Sequence, residues 1–419
     1  MRVLYSLLLW GALPWVLVRL WWRGRREPGY RRHIAERFGR YAYKTNKPVI
    51  WLHAVSVGEV RAAEPLVRAL AARHPDHQIV LTQMTATGRA TAEQLFGASV
   101  HCCYLPYDYG FAVERFVEHF KPRLGVLMET EIWFNLIGGC RQRGVPLLLA
   151  NARLSEKSAR GYAVVAALAR EALQGLSAVA AQSAGDAARL ETLGAVGVEV
   201  TGNLKFDVEV TAAMRELGAQ FRRRYGSGRP VLLAASTRDG EEALLLRALE
   251  AHPVPRLLCV IVPRHPQRFE AVAALIAASG HGVVRRSENR DIPPDCAVVL
   301  GDSMGEMAAY FGASDVAFVG GSLLPYGGQN FIEACALGIP VLLGPFTHNF
   351  AKASEDALAA GAAAGVVDAA SLVACATEIL GNPAGAADMS AAGIRFFAAH
   401  RGATGRTMAI CERLLAGKS

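Results

Sequence analysis

Of the chain's 419 residues, about 380 lie beyond an apolar N-terminal stretch, enough for two domains of ordinary size. The formal net charge is +8, and +7 of it sits in the first 40 residues, where nine arginines meet only Glu27 and Glu36. The body is therefore almost neutral, which argues against a nucleic-acid partner, whose basic footprint would lie on a folded domain. Eight dispersed cysteines with no CxxC pair, and eleven histidines with no HExxH motif, suggest neither a disulfide framework nor a metal site and fit a reducing compartment.

Val3 to Trp22 is nearly continuously apolar. As a helix rising ~1.5 Å per residue it matches a hydrocarbon layer of ~30 Å. Pro14 and Arg19 interrupt the stretch, so a full span and a tilted, monotopic insertion both remain open. The segment that follows, RLWWRGRREPGYRRHIAERFGR, is rich in arginine and aromatic at its start, and attracts anionic lipid headgroups. The positive-inside rule puts the body in the cytoplasm. A cleaved signal peptide fits less well, since no small-x-small site follows and the basic flank lies on the stop-transfer side.

Beyond this anchor and flank (1–28), short β-like runs alternate with helical stretches: VIWLHAV from Val49, QIVLT from Gln78, LGVLM from Leu124, PLLLA from Pro146, SAVAAQ from Ser177 and VEVTG from Val198. These predict a first Rossmann-like domain over 29–220. The polar segment FRRRYGSGRP, 221–230, reads as a linker. The pattern restarts with VLLAAS, LLCVIVP, AVVLG, DVAFVG and PVLLG, predicting a second domain over 231–390. Residues 391–419 read as a last helical stretch that packs back on the first domain. The expected class is α/β: two parallel sheets facing across a cleft, with ligands at the carboxyl ends of the strands.

The polar motifs fall at such strand ends. Glu59 in WLHAVSVGEV follows the first strand and suits a general base, or a first-turn acid favoured by the helix dipole. METEIW offers Glu129 and Glu131, without saying which faces a cleft, and GNLKF offers Lys205 to balance charge on a transferring group. In the second domain, Ser236, Thr237 and Arg238 follow one strand. Pro263, Arg264 and His265 follow another, where an arginine can pair with a phosphate. Met304, Gly305 and Glu306 in GDSMGEM lead into a helix, with N-capping by Asp302 or Ser303 as the competing reading.

GGSLLPYGGQNFIEA, 320–334, is the most informative stretch. Gly327 and Gly328 let the backbone approach a ligand, helix amides can hold an anion, and Asn330 and Glu333 share a helical face from which the carboxylate can take ribose hydroxyls. A plain helix cap accounts for the same residues. With no DxD pair in the chain, a metal-bridged diphosphate donor is not suggested, and Lys205 and Arg264 suit a metal-free phosphate leaving group.

SVGEV, METEIW, GNLKF, PRHPQRF, GDSMGEM, FVGGSLLPYGGQN and GPFTHNF, in this order behind a membrane-seeking N-terminus, resemble the 3-deoxy-D-manno-octulosonic acid (Kdo) transferases of Gram-negative bacteria over nearly the whole chain. The resemblance implies a two-domain GT-B glycosyltransferase that uses no metal or other cofactor. Its donor would be CMP-Kdo and its acceptor a lipid A precursor (lipid IVA) at the cytoplasmic face of the inner membrane, with transfer by inversion in lipopolysaccharide synthesis. It implies Glu59 as base, Glu129 and Lys205 as transition-state stabilisers, and CMP contacts from Pro263, Arg264, Met304, Gly305, Glu306, Asn330, Phe331, Ile332 and Glu333. Two departures from the family pattern, Arg238 and Gln329, bear on the donor contacts. The competing readings are another membrane-associated GT-B enzyme using a UDP-sugar and a non-catalytic nucleotide-sugar binder.

Overall fold

The computed structural model describes residues 2–226 and 228–417, and separates into two compact units, Met1–Val208 with His400–Ser419, and Glu209–Ala399. In the first unit seven strands form one parallel sheet: β1 (Val49–His53), β2 (Gln78–Gln83), β3 (Val100–Tyr104), β4 (Leu124–Met128), β5 (Leu147–Ala152), β6 (Ala178–Ala181) and β7 (Val198–Val200). Their order is β3-β2-β1-β4-β5-β6-β7. The central strands are buried on both faces, as a parallel sheet covered by helices requires. Alternation sends Ile50 and Leu52 into one core layer and Val49 and Trp51 into the other.

The second unit repeats the plan with β8 (Val231–Thr237), β9 (Leu258–Pro263), β10 (Val284–Arg285), β11 (Val298–Leu300), β12 (Val316–Val319), β13 (Val341–Leu343) and β14 (Ala363–Gly365). All seven are again parallel, in the order β10-β11-β9-β8-β12-β13-β14. The strand order reverses between β1 and β4 in the first sheet and between β8 and β12 in the second. Ligands of open α/β sheets bind at such switch points.

The division of the chain differs from the expected one. The segment expected as a linker, of which Ser227 lies outside the described residues, starts inside the helix Ala212–Tyr225 of the second unit. Phe221 and Tyr225 are buried there, Phe221 lies 5.1 Å from the Tyr310 ring, and Arg222 pairs with Asp315 at 3.0 Å. The basic residues of that helix mask an apolar face, and the break falls at Val208/Glu209. The second unit also extends past 390, because the helix Pro383–His400 stacks Phe396 on Phe331.

Helix α1 (Arg2–Arg26) docks on the first unit by one side. The Tyr5 hydroxyl donates to Asp108 at 3.0 Å, Ser6 donates to Asn135 at 3.2 Å, the Tyr109 hydroxyl donates to the Leu9 carbonyl, and Trp10 packs on Tyr109 and Phe111. Val3, Leu4, Leu7, Leu8, Trp15 and Val18 are exposed.

The helix Ala403–Ala416 adds Ala403, Ile410 and Cys411 to the first unit's core. Asp207 receives the Gly402 amide at 2.7 Å and the Thr404 amide, capping this helix from outside, and Arg406 donates to the Thr201 carbonyl at 2.8 Å. The turn Leu204–Asp207, which carries Lys205, is thereby fixed to the end of the chain. Replacing Asp207 by Ala should cost about 1–2 kcal/mol, the usual worth of such a cap. Thermal melting should register this as a lowered midpoint.

Candidate active site

The first cluster forms where β1 and β4 part. Ser56 caps helix α2 (Val57–Arg73), and Glu59 in its first turn reaches back to the chain before it: Val55 N–H donates to Glu59 Oε2 at 2.7 Å and Ser56 Oγ to Oε1 at 3.2 Å. The capping reading and the functional one thus describe the same carboxyl. Burial pushes its pKa up to about 8; the Val55 amide opposes the rise, while the charges of Glu129 and Glu131 add to it.

Glu129 follows β4 in a left-handed conformation, φ 58°, with its N–H donating to the Ala150 carbonyl at 2.9 Å. A non-glycine residue in that region is strained and persists only where its surroundings hold it. Here they do: Glu129 Oε1 meets Lys205 Nζ at 3.0 Å and Oε2 meets Arg153 Nε at 3.3 Å. Glu131 instead accepts from the Trp133 indole, and burial raises its carboxyl above the usual range, with the Trp133 bond opposing and Glu129 adding to the effect. Strand alternation does not choose between the two carboxylates; the ion pairs to Lys205 and Arg153 are made by Glu129.

Lys205 is held through its main chain. Asn203 Oδ1 accepts the Lys205 amide and Asn151 Oδ1 accepts the Leu204 amide, both at 3.0 Å. Asn151 and Arg153, which sequence reasoning did not pick out, join the cluster by backbone geometry: Asn151 has φ 52°, and the β5–β6 register shifts between Leu149 and Ala152. His53 ends β1 fully buried. Its Nδ1 lies 3.1 Å from the Thr82 carbonyl, which can only accept, so Nδ1 carries the proton; burial lowers its pKa to about 3, and it stays neutral.

The second cluster forms where β8 and β12 part, organised by a residue that no local pattern singles out. Glu241, 1 % exposed, accepts the amides of Arg238 (2.8 Å), Gly321 (2.7 Å), Leu323 (3.0 Å) and Leu324 (3.4 Å), so one carboxylate ties the loop after β8 to the loop after β12. Gly320 packs so closely that a Cβ would stand 2.5 Å from Thr237 Cα. Glu242 receives Thr237 Oγ1 at 2.7 Å and is bridged by Arg268 at 2.6 and 3.1 Å.

Pro263 ends β9, and Arg264 donates its amide to Thr237 O and its Nε to Gln329 Oε1 at 3.1 Å. The Arg238 guanidinium lies 4.6 Å from the Tyr326 ring centroid. The two departures from the family pattern are thus both contact residues of this loop cluster. His265 is held below its ordinary pKa by burial and then by Arg238, Arg264 and Arg268, which marks the region as electropositive.

Three local expectations change. Asn330 does not share a helical face with Glu333: the helix runs from Ile332 to Ala336, and Asn330 precedes it, receiving the Ile332 amide and lying 3.5 Å from Glu333. Phe331 and Ile332 are buried core side chains, which leaves their main chain to meet a ligand. Neither Asp302 nor Ser303 caps the helix Met307–Gly312; Asp302 receives Ser287, and Ser303 donates to Glu306, which also pairs with Arg286 at 3.1 Å. Met304 is exposed, and Gly305 has φ 82°. No group of three or more metal-ligating side chains occurs among the described residues.

Two parallel seven-stranded Rossmann-like sheets, each with its polar cluster at the switch point, define a GT-B-like fold. Solved structures agree: a glycosyltransferase from Rickettsia africae (TM-score 0.61, 15 % identity, 88 % of this chain and 99 % of that one) and a UDP-GlcNAc 2-epimerase from Neisseria meningitidis (TM-score 0.60, 17 %, 88 % and 100 %). These likenesses establish the fold alone. Sequence goes further: the family profile described as 3-Deoxy-D-manno-octulosonic-acid transferase (kdotransferase) matches residues 32–208. The chain is 45 % identical to the 3-deoxy-D-manno-octulosonic acid transferase of Bordetella pertussis over 98 % of this chain and 99 % of that one. It is 39 % identical to the Haemophilus influenzae enzyme of the same name over 83 % of each. The chain belongs to the Kdo transferase family and is a glycosyltransferase.

Glu241→Gln replaces an acceptor of four amides with a group that turns donors toward them. Loosening of both loops should lower the affinity for CMP at least tenfold by calorimetry, with a drop in melting temperature, because unsatisfied buried amides cost about 1–3 kcal/mol each.

Proposed function

We propose that the protein transfers Kdo from CMP-Kdo to a hydroxyl of a lipid A precursor, lipid IVA, with inversion, as a step of lipopolysaccharide core synthesis. The observation that carries this reading is the Glu59 carboxyl, raised to about 8 and held by Val55 and Ser56, in one cluster with the Glu129–Lys205 pair. A base of that strength suits removal of a hydroxyl proton as the new bond forms. Lys205, backed by Glu129, supplies positive charge for the transition state. Arg264, the 304–306 turn, and Asn330 to Glu333 bind CMP, and the phosphate leaves against helix-end amides and arginine.

Glu59→Gln should lower kcat by about 10²–10⁴ while CMP binding persists. Products from in-situ generated CMP-Kdo and a tetra-acylated acceptor, resolved by mass spectrometry, decide the matter. Turnover with a UDP-sugar in place of CMP-Kdo, or CMP binding without turnover in the wild type, would overturn the reading in favour of a different transferase or a binder. The pH dependence has a definite sign. Glu59 is neutral below about 8 and becomes a base above it, so kcat/KM should climb with pH and level off past about 8. That limb should be missing in Glu59→Gln.

Helix α1 is long and apolar enough to cross a membrane, but one side of it is engaged by Asp108, Asn135, Tyr109 and Phe111. That favours a monotopic helix at the cytoplasmic face of the inner membrane, with its exposed apolar side in the lipid and the arginines at the anionic headgroups. Leu7→Glu with Leu8→Glu should abolish sedimentation with anionic vesicles while leaving CMP binding intact. Unchanged sedimentation would remove α1 as the membrane contact.

A further inference from the structure

The turn that joins the helices Glu156–Val164 and Ala166–Leu173 shows water two consecutive valines: Val164 is 86 % exposed and Val165 36 %. A lone exposed valine needs no explanation, but these sit in a patterned setting. The helix Glu156–Val164 has no buried residue and divides its side chains between two faces. Ala159 and Tyr162, three apart, pack against the first unit's core. Lys157, Arg160 and Val164, at spacings of three and four, lie on the opposite face and are all exposed. Arg160 reaches Glu156 at 3.4 Å, a contact exposed on both sides and therefore weak in water. Cations beside apolar groups on the outer face of a helix are the pattern of a helix lying at a membrane surface.

The neighbours of this turn give the pattern its meaning. Arg2, at the start of α1, lies over Gly138 of the helix Phe134–Gln142, where a Cβ would collide with the guanidinium. A small cavity bordered by Arg2, Phe134 and Gly138 is bordered also by Leu168 and Ala172 of the helix Ala166–Leu173. The first turn of α1 therefore stands beside the helix that leaves the Val164–Val165 turn. The exposed Val3, Leu4 and Leu7 belong to that same end of α1, so the apolar side of α1 continues towards the two valines. On its inner side the helix Glu156–Val164 faces the candidate site. It starts three residues after Arg153, and Tyr162 lies close enough to Glu131 for that carboxyl, after burial, to raise the phenol above its ordinary pKa.

We infer that the helix Glu156–Val164 and the turn after it form a second membrane contact, in which Val164 and Val165 enter an anionic bilayer beside α1 and Lys157 and Arg160 meet the lipid headgroups. A single helix lying in the interface leaves the attached domain free to roll about the helix axis. A second contact away from that axis fixes the roll and holds the Glu59 and Glu129 cluster at one height above the headgroups, where a lipid hydroxyl is presented. This inference rests on the monotopic placement of α1 proposed above.

Co-sedimentation of the full chain with phosphatidylglycerol-containing vesicles, titrated in lipid, tests it. Val164→Glu with Val165→Glu should weaken partition on the order of tenfold without abolishing it, since α1 still binds. Lys157→Gln with Arg160→Gln should cost about fivefold for each cation removed on anionic vesicles and nothing on pure phosphatidylcholine. A second readout is an environment-sensitive dye on Val164→Cys, with unlabelled positions controlled by the wild type, whose other cysteines are buried except for the partly buried Cys375. In the vesicle-bound protein its emission should shift to the blue and be quenched by lipids brominated in their chains. Wild-type partition for both double variants, or a dye that stays water-like and unquenched while the protein is bound, would overturn the inference. Unchanged sedimentation of Leu7→Glu with Leu8→Glu would strike instead at the placement of α1. All the substituted positions are exposed, and melting curves with CMP binding establish that each variant is folded.

Discussion

Everything in this protein follows from burying both faces of two parallel sheets. β1, β4, β5 and β9 present no exposed position, so a charged group on these strands would pay full desolvation with no partner in reach. Polar chemistry is thereby driven to the strand ends, and the reversal of strand order opens a gap between neighbouring loops at one point in each sheet. Glu59 and Glu129 flank that point in the first unit, and Arg238 and Gly321 flank it in the second, joined there by Glu241. The sites are where the packing constraint leaves room for them.

The carboxyl of Glu59 sits where the demands of a helix start and those of the proposed chemistry coincide. A first-turn glutamate is ordinarily well solvated and acidic. Here the Val55 amide and the Ser56 hydroxyl fix both carboxyl oxygens, while burial and two neighbouring acids raise the pKa. Because the folded-state pKa lies above that of an unfolded glutamate, ionising Glu59 works against folding as pH rises from about 4 towards 8. A carboxyl meant only to cap would gain nothing from that environment. The same environment is what the proposed base role of Glu59 would need.

Much of this was legible in the sequence, and the parts that were not have a common cause. Apolar runs located eleven strands; β3, with His101 and two cysteines, and the short β10 and β14 carried too little β-branched character to stand out. Glu59, Glu129, Lys205 and Arg264 were visible because each follows a run that could only be a buried strand. Arg153 and Asn151 were not, since their importance depends on a left-handed residue and a register shift that no local pattern encodes. Glu241 carries no local signal, because its role exists only where β12 returns beside β8. The expected linker failed for the converse reason: its arginines looked solvated, while Phe221 and Tyr225 among them were filling a core.

The electrostatics of the second unit's cluster are graded in the same way. Burial first, and then three neighbouring arginines, hold His265 below its ordinary pKa, but the arginines are not equivalent. Arg268 is bound by the buried Glu242 and by Asp239, so its charge is matched within the protein. Arg264 donates to the amide oxygen of Gln329, and Arg238 lies over the Tyr326 ring, contacts that orient each guanidinium. Arg268 is thus tied to its loops by carboxylates, while an amide and an aromatic ring help to orient Arg264 and Arg238. Gln329 and Arg238, where this chain departs from the family pattern, are part of that arrangement: one accepts from the Arg264 guanidinium and the other supplies a guanidinium over the Tyr326 ring.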